Sequence, residues 1–246
     1  AAYFGGGLIS MVLLMVFSRL VFDLSQEEHA LMGMGAGFSN TVLLGLPLIV
    51  LTFGDAALGP ITTMIAFNTL ILLPTTIILI EIARGRRDQK SLVKITLAPL
   101  TAMIRNPILI AIVTGAAWSF TGFGLAVPLE RFIDLLSSAA GPCALFVLGT
   151  SLAEYRLTGR PAETASVTVA KLIVHPVLVW LLCTEIFALD VLTTNVATMM
   201  AAIPVGATVF TVAQQYRVFV GPVTSSILIS TVISAGSLAV VIGLLT

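Results

Sequence analysis

The chain has 246 residues, of which 58% are hydrophobic and 10% charged, and its formal net charge is zero. A soluble domain carries about 25% charged residues, so this chain cannot cover its own surface with polar groups, and lipid must be its solvent over most of its area. That excludes an ordinary soluble domain and leaves helices or a closed barrel as the spanning structure, because backbone polar groups find no water partner in the bilayer.

The apolar segments do not alternate as barrel strands would; they are continuous runs of about 20 residues, the length of a membrane-crossing helix. Eight spans are predicted, at 2–22, 30–53, 58–82, 104–122, 132–153, 166–187, 193–213 and 221–245, joined by short loops in one helical bundle. The chain opens on Ala1-Ala2-Tyr3, already apolar, without a Met or a basic leader. This argues against a signal peptide and for a chain cut from something longer. Arg19 ends the first span.

The second span contains Gly33-Met34-Gly35-Ala36-Gly37-Phe38-Ser39-Asn40-Thr41 and then Val42-Leu43-Leu44-Gly45-Leu46-Pro47. Pro removes a backbone donor and collides with the preceding turn. Irregular backbone at that depth is tolerated where it is buried or lines a wet cavity. Gly33, Gly35 and Gly37 also suit the close approach of another helix. The third span begins Gly59-Pro60-Ile61-Thr62-Thr63-Met64-Ile65 and carries Asn68, a helix–helix hydrogen-bonding residue or a lining residue of the break. After it come Arg84, Arg86, Arg87, Lys90 and Lys94, with Arg105 at the far end of the loop. The fourth span starts at Asn106-Pro107.

Arg156, Arg160 and Lys171 follow the fifth span, and Arg217 follows the seventh. With alternate threading these basic residues share one side, while Asp55, Glu130, Asp134, Glu185 and Asp190 take the other together with Arg131. Short Lys- and Arg-rich loops stay in the cytoplasm. The basic run is therefore a topology determinant rather than a nucleic-acid patch, the chain is a multi-pass inner-membrane protein, and both of its termini face out of the cytoplasm.

In the sixth span Lys171 either snorkels to the inner interface or draws anions in. His175, next to Pro176, is a packed residue beside a kink or, since His titrates near physiological pH, a proton-coupling group. Cys143 and Cys183 lie in apolar runs and read as small buried hydrophobes. The seventh span repeats the interruption as Ala201-Ala202-Ile203-Pro204-Val205-Gly206-Ala207-Thr208. The eighth opens Gly221-Pro222-Val223-Thr224-Ser225-Ser226-Ile227, which matches the start of the third span at four positions and conservatively at two more.

An interrupted span, a short loop, Gly-Pro and a Thr/Ser-rich helix start thus occur twice, five spans apart. Five crossings put the copies on opposite faces. The pattern is an inverted repeat of five-helix units, with the substrate site where the interrupted helices meet. Residues 1–83 are then the last three helices of the first unit, 84–103 a cytoplasmic basic loop and 104–246 the complete second unit. Eight of an expected ten helices are present, with about 50–70 residues to precede them.

These segments resemble a known family. Asn40-Thr41-Val42-Leu43-Leu44-Gly45-Leu46-Pro47-Leu48 resembles the fourth-helix signature of the auxin efflux carrier family, whose bacterial members include malonate carriers. Arg105-Asn106-Pro107, the run from Pro142 to Leu152, Lys171-Leu172-Ile173-Val174-His175-Pro176 and Ile203-Pro204-Val205-Gly206-Ala207 resemble its later blocks in the same order. The resemblance implies an all-α polytopic fold of two inverted five-helix units with crossed, Pro-broken helices, like the bile-acid and sodium–proton transporter folds. It also implies polar side chains at the crossing that hold an anion. Asn40 and Thr41 match the first of these, and Thr208 stands where the family often has Asn.

A carboxylate leaving water must regain hydrogen bonds, and half-helix N-termini offer free N–H groups with a partial positive charge. Breaks near Pro47 and Pro204 would create such ends. Gly45, Gly206 and Ala207 lack bulk, and Asn40, Thr41 and Thr208 add side-chain donors. The chain is expected to be a secondary transporter of small organic anions such as dicarboxylates or auxin-like carboxylates, with the lipid bilayer around it and the homodimer left open. A sodium-coupled bile-acid-type symporter shares the architecture. An intramembrane enzyme is the reading of another class, and no zinc motif, paired mid-span aspartates or Ser–His pairing supports it. No cofactor and no metal are expected.

Overall fold

The computed structural model describes residues 1–88, 107–154 and 159–245. Among these residues the ordered elements are helices: α1 (Ala2–Val21), α2 (Gln26–Gly37), α3 (Leu46–Phe53), α4 (Leu58–Asp88), α5 (Pro107–Thr121), α6 (Val127–Glu154), α7 (Pro161–Val169), α8 (His175–Leu181), α9 (Val191–Ala202), α10 (Ala207–Tyr216) and α11 (Val220–Leu245). They fall on the eight ranges expected to be spans. The second span is α2 and α3, the sixth is α7 and α8, and the seventh is α9 and α10. Among the described residues four continuous stretches, Ala2–Val21, Asp55–Arg84, Pro161–Ile186 and Val220–Leu245, are long and apolar enough to cross a membrane by length and composition. Leu20, Leu51 and Leu244 stand exposed on the outside, as a lipid-facing surface requires.

Local chemistry sets the ends of the helices. Ser25 opens α2 with a reciprocal capping box, its hydroxyl accepting from the Glu28 N–H while the Glu28 carboxylate accepts from the Ser25 N–H. Asp190 caps α9 by accepting from the Thr193 N–H at 2.9 Å. Arg217, in the left-handed region, closes α10. The third span runs to Asp88, past its expected end at 82, and α6 starts at Val127, earlier than expected. Residues 89–106, most of the basic loop, lie outside the described residues.

The break in the second span is not at Pro47. The helix stops at Gly37, Phe38 is extended and Ser39 joins a bridge, the chain turns at Asn40, and a widened turn over Thr41–Gly45 leads into α3. Pro47 sits in the first turn of α3. A Pro clashes with the carbonyl four residues earlier, and the preceding turn relaxes to i→i+5 bonds, Gly45 donating to the Asn40 carbonyl at 3.0 Å. The sixth span does the same before Pro176, where Ala170–Val174 form a widened turn. The seventh span breaks where expected, at Ile203–Gly206 between α9 and α10.

α1 lies along α2, and small residues make this approach close. A Cβ on Gly37 would fall 2.5 Å from the Gly7 carbonyl oxygen, so only glycine fits at that contact. α6 runs against the Thr41–Gly45 turn and α3, and α9 packs on α8 and α4. Buried apolar residues form two clusters. One holds Met11, Met34, Phe38, Leu72, Val205 and Val209; the other holds Tyr3, Ile49, Ile65, Met200 and Ile203. The break in the seventh span passes between them, with Ile203 in one and Val205 in the other.

Basic residues from separate segments gather at one end of the molecule. Arg19 donates to Gln26 at 2.6 Å, Arg84 pairs with Glu27 at 3.6 Å and Arg160 pairs with Glu28 at 2.7 Å. Arg217 joins Arg84, Glu27, Glu28 and Tyr216 around one polar cavity.

Candidate functional site

The two interrupted spans cross at their breaks and bond to each other through the main chain. Ser39 and Val205 form an isolated antiparallel bridge. Asn40 N–H donates to the Pro204 carbonyl at 3.0 Å, and Gly206 N–H donates to the Phe38 carbonyl at 2.9 Å. Extended backbone in the middle of two broken helices would otherwise leave these groups without partners, which is expensive in an apolar surrounding. Each break satisfies the other. The Val205 N–H, left over by the bridge, donates to Ser230 Oγ of α11 at 3.2 Å.

The crossing is closed. Ser39, Asn40 and Thr41 are 1%, 5% and 5% exposed, and Pro204, Val205 and Gly206 are buried, while Thr208 and Ala207 stand half-buried at the start of α10. The space beside Gly206 is filled by Phe38 and the Ser39 backbone, and that beside Gly45 by Ile203 and Met200. Both glycines thus admit protein rather than an open approach. Pro47 is half-buried within α3, one helical turn beyond the polar residues.

Two helix N-termini begin at the crossing, the Thr41 turn leading to α3 and the Ala207 end of α10. First-turn N–H groups have no partner within the regular helix, and neither Asn40 nor Gly206 supplies a side-chain cap; the Thr41 N–H donates to the Ser39 carbonyl at 2.9 Å and the Val209 N–H to the Gly206 carbonyl at 3.0 Å. Asn40 Nδ2 is buried with no hydrogen-bond partner. Asn68 is fully buried, and neither its amide nitrogen nor its amide oxygen has a partner. It lies on α4 between Ile65 of one apolar cluster and Leu72 of the other, about one turn from each. The expected helix–helix hydrogen bond of Asn68 is therefore not made. Thr198 Oγ1, one turn before the end of α9, is also buried without a partner.

Lys171 overturns the snorkelling expectation. Its side chain is 0% exposed and points inward. The Nζ donates to Ser39 Oγ at 2.7 Å and to the Ala201 carbonyl at 2.6 Å, and lies 2.9 Å from His175 Nδ1. Ala201 is in the last turn of α9, where carbonyls lack helical partners and carry partial negative charge. The lysine thus ties the sixth span to both breaks at once. The widened turn at Ala170–Val174 sets Lys171 and His175 beside each other. His175 is fully buried; its ring packs 5.8 Å from the Tyr3 ring, and its Nε2 faces Gly7 and has no partner.

Sequence reasoning missed Ser39, Ser230, Thr198 and Tyr3 as members of this region. Ser39 stands next to Asn40 in the interrupted motif, which is the one signal that pointed to it. Ser230 and Thr198 look like any small polar residue in an apolar helix. Among the described residues no group of three metal-ligating side chains comes together.

A family described as Membrane transport protein matches residues 2–242. The chain belongs to that family, the auxin efflux carriers. A protein of Rhizobium meliloti (strain 1021) described as "Putative malonate transporter" is 32% identical over 218 residues, which cover 89% of this chain and 67% of the relative. Membership makes the chain a multi-pass membrane transport protein, in accord with its apolar helices. Within the family frame the expected crossing of two broken helices is present, through Asn40 with Pro204 and Phe38 with Gly206.

Proposed function

We propose that this chain carries small organic anions, dicarboxylates such as malonate among them, across the inner membrane, and that the anion binds at the crossing of the two breaks. The observation that carries this reading is the buried, unpaired Asn40 Nδ2 at the crossing. Beside it two helix N-termini without a side-chain cap start at Asn40–Thr41 and at Gly206–Ala207. Such ends favour negative charge and supply N–H groups for a carboxylate. Thr41 and Thr208 add hydroxyls, and Asn68 has an amide with both ends free. Buried donors left unsatisfied cost about 1–3 kcal/mol each, which an anion would return on binding. The name of the Rhizobium meliloti relative favours malonate.

The inverted repeat belongs to the same reading. Its support is positional: α2 and α9 have 12 residues each before their breaks, and Gly59-Pro60 and Gly221-Pro222 are the second and third residues of α4 and α11. The gathering of Arg19, Arg84, Arg160 and Arg217 at one end supports a cytoplasmic face there and termini on the other side. Because the crossing is closed, carriage requires the elements around it to move apart.

The test is uptake of a panel of labelled carboxylates by the full-length protein in proteoliposomes, with and without a pH gradient. Saturable malonate uptake is the expected result. No uptake of any small carboxylate would overturn the reading.

A further inference from the structure

Among the described residues Lys171 Nζ has three hydrogen-bond partners and no opposite charge beside it. An ammonium has three N–H groups, and Ser39 Oγ, the Ala201 carbonyl and His175 Nδ1 are placed to accept all three when Lys171 is protonated. In that state His175 accepts through Nδ1 and keeps its proton on Nε2. The ion pairs among the described residues that involve Glu27 and Glu28 lie at the basic end, with Arg84 and Arg160, and none reaches Lys171. Among the described residues Ser39 of the first break bonds Lys171 and Tyr3 of α1 packs on His175, and neither is a carboxylate. The carbonyl end of α9 offers a partial charge of about half a unit at most. Neutral hydrogen bonds offset only part of the cost of a buried charge, and a counter-charge is needed for the rest. The crossing next to it has the opposite deficit. Ser39, which holds the ammonium, adjoins Asn40, whose amide nitrogen is unpaired, and neighbouring Cα atoms are about 3.8 Å apart.

We propose that the Lys171–His175 pair is neutral while the crossing is empty, and that each anion enters together with one proton that makes Lys171 its counter-charge. This rests on the carrier reading above and adds the coupling to it. The proton comes from water on the side of loading and returns to water on the side of release, so no bond of the substrate is made or broken. Anion and ammonium each supply the charge that the other lacks, and by linkage each favours the binding of the other.

The experiment is calorimetric titration of malonate into the full-length protein in nanodiscs. It uses two buffers of different ionisation enthalpy, over a pH range in which malonate stays a dianion. The expected result is uptake of about one proton per malonate bound, with affinity rising up to about tenfold per pH unit lowered. Lys171→Met is expected to lose more than about tenfold in affinity. Lys171→Arg is expected to restore part of the binding but to take up no proton, since a guanidinium stays charged. Malonate binding without proton uptake in the wild type, or wild-type affinity in Lys171→Met, would overturn the proposal and leave the carrier reading standing. No binding of malonate or any carboxylate of the panel would overturn both. Should Lys171→Met fail to fold in a thermal-unfolding check, the wild-type proton count and Lys171→Arg decide.

Discussion

Gly206 lies so close to Ser39 that a Cβ on it would sit 2.8 Å from the Ser39 carbonyl oxygen and 3.1 Å from the carbonyl carbon. Backbone meets backbone there, and the Ser39–Val205 bridge leaves neither strand room to retreat. Gly206→Ala is therefore expected to destabilise the protein by about 1–3 kcal/mol, the usual cost of overpacking. Thermal unfolding in detergent measures this, and an unchanged midpoint would mean that the crossing is looser than its geometry.

Asn40→Ala removes the unpaired amide donor while leaving the main-chain bonds of the crossing in place. A hydrogen bond to a charged group contributes about 1.5–3 kcal/mol, so malonate affinity should fall roughly ten- to hundredfold. The unfolding midpoint should stay near that of the wild type, because the lost donor has no protein partner. Full transport by this variant would remove Asn40 from the site.

Arg160→Gln breaks the 2.7 Å pair with Glu28. The Arg160 side chain is 46% exposed, so water and salt screen the pair and its loss should cost less than about 1 kcal/mol. Melting curves at low and high salt test this: the difference between variant and wild type should shrink as salt rises.

Asp190 gives the fold a pH-sensitive cap. Thr193, through its side chain and its N–H, holds the Asp190 carboxyl below the usual carboxylate range. A group lowered in the folded state stabilises above its unfolded value, about 3.9, and that contribution is lost as pH falls through the folded value. Acid should therefore lower the melting midpoint of the wild type more than that of Asp190→Asn. Parallel curves for the two proteins would show that the cap does not matter.

The spans were legible because lipid forces an apolar run of fixed length on each, and both interruptions showed as Pro and Gly where such runs allow few. The position of the first break was not legible. Pro47 marks a widened turn, and the helix stops at Gly37, where the chain meets Gly7 and, beyond it, the second break. That stop is set by tertiary contact, which no local pattern encodes. That Lys171 turns inward rather than snorkels was not legible for the same reason. A lysine near a helix end faces water or core according to what surrounds it, and its partners Ser39 and Ala201 lie far off in the sequence. His175 four residues later was the available hint, since the pair falls on one helical face.

Ser39 and Lys171 are 132 residues apart. At the roughly 5–20 residues per second of synthesis, the interrupted second span emerges on the order of ten seconds before the lysine that fastens it, and longer still before the second break. During that interval its open backbone must be sheltered by something other than its final neighbours, whether the insertion machinery, headgroup water or a transient straight helix. Assembly of this protein therefore depends on a late arrival, and truncation after the sixth span should leave a nascent chain that membrane proteases recognise as unfinished.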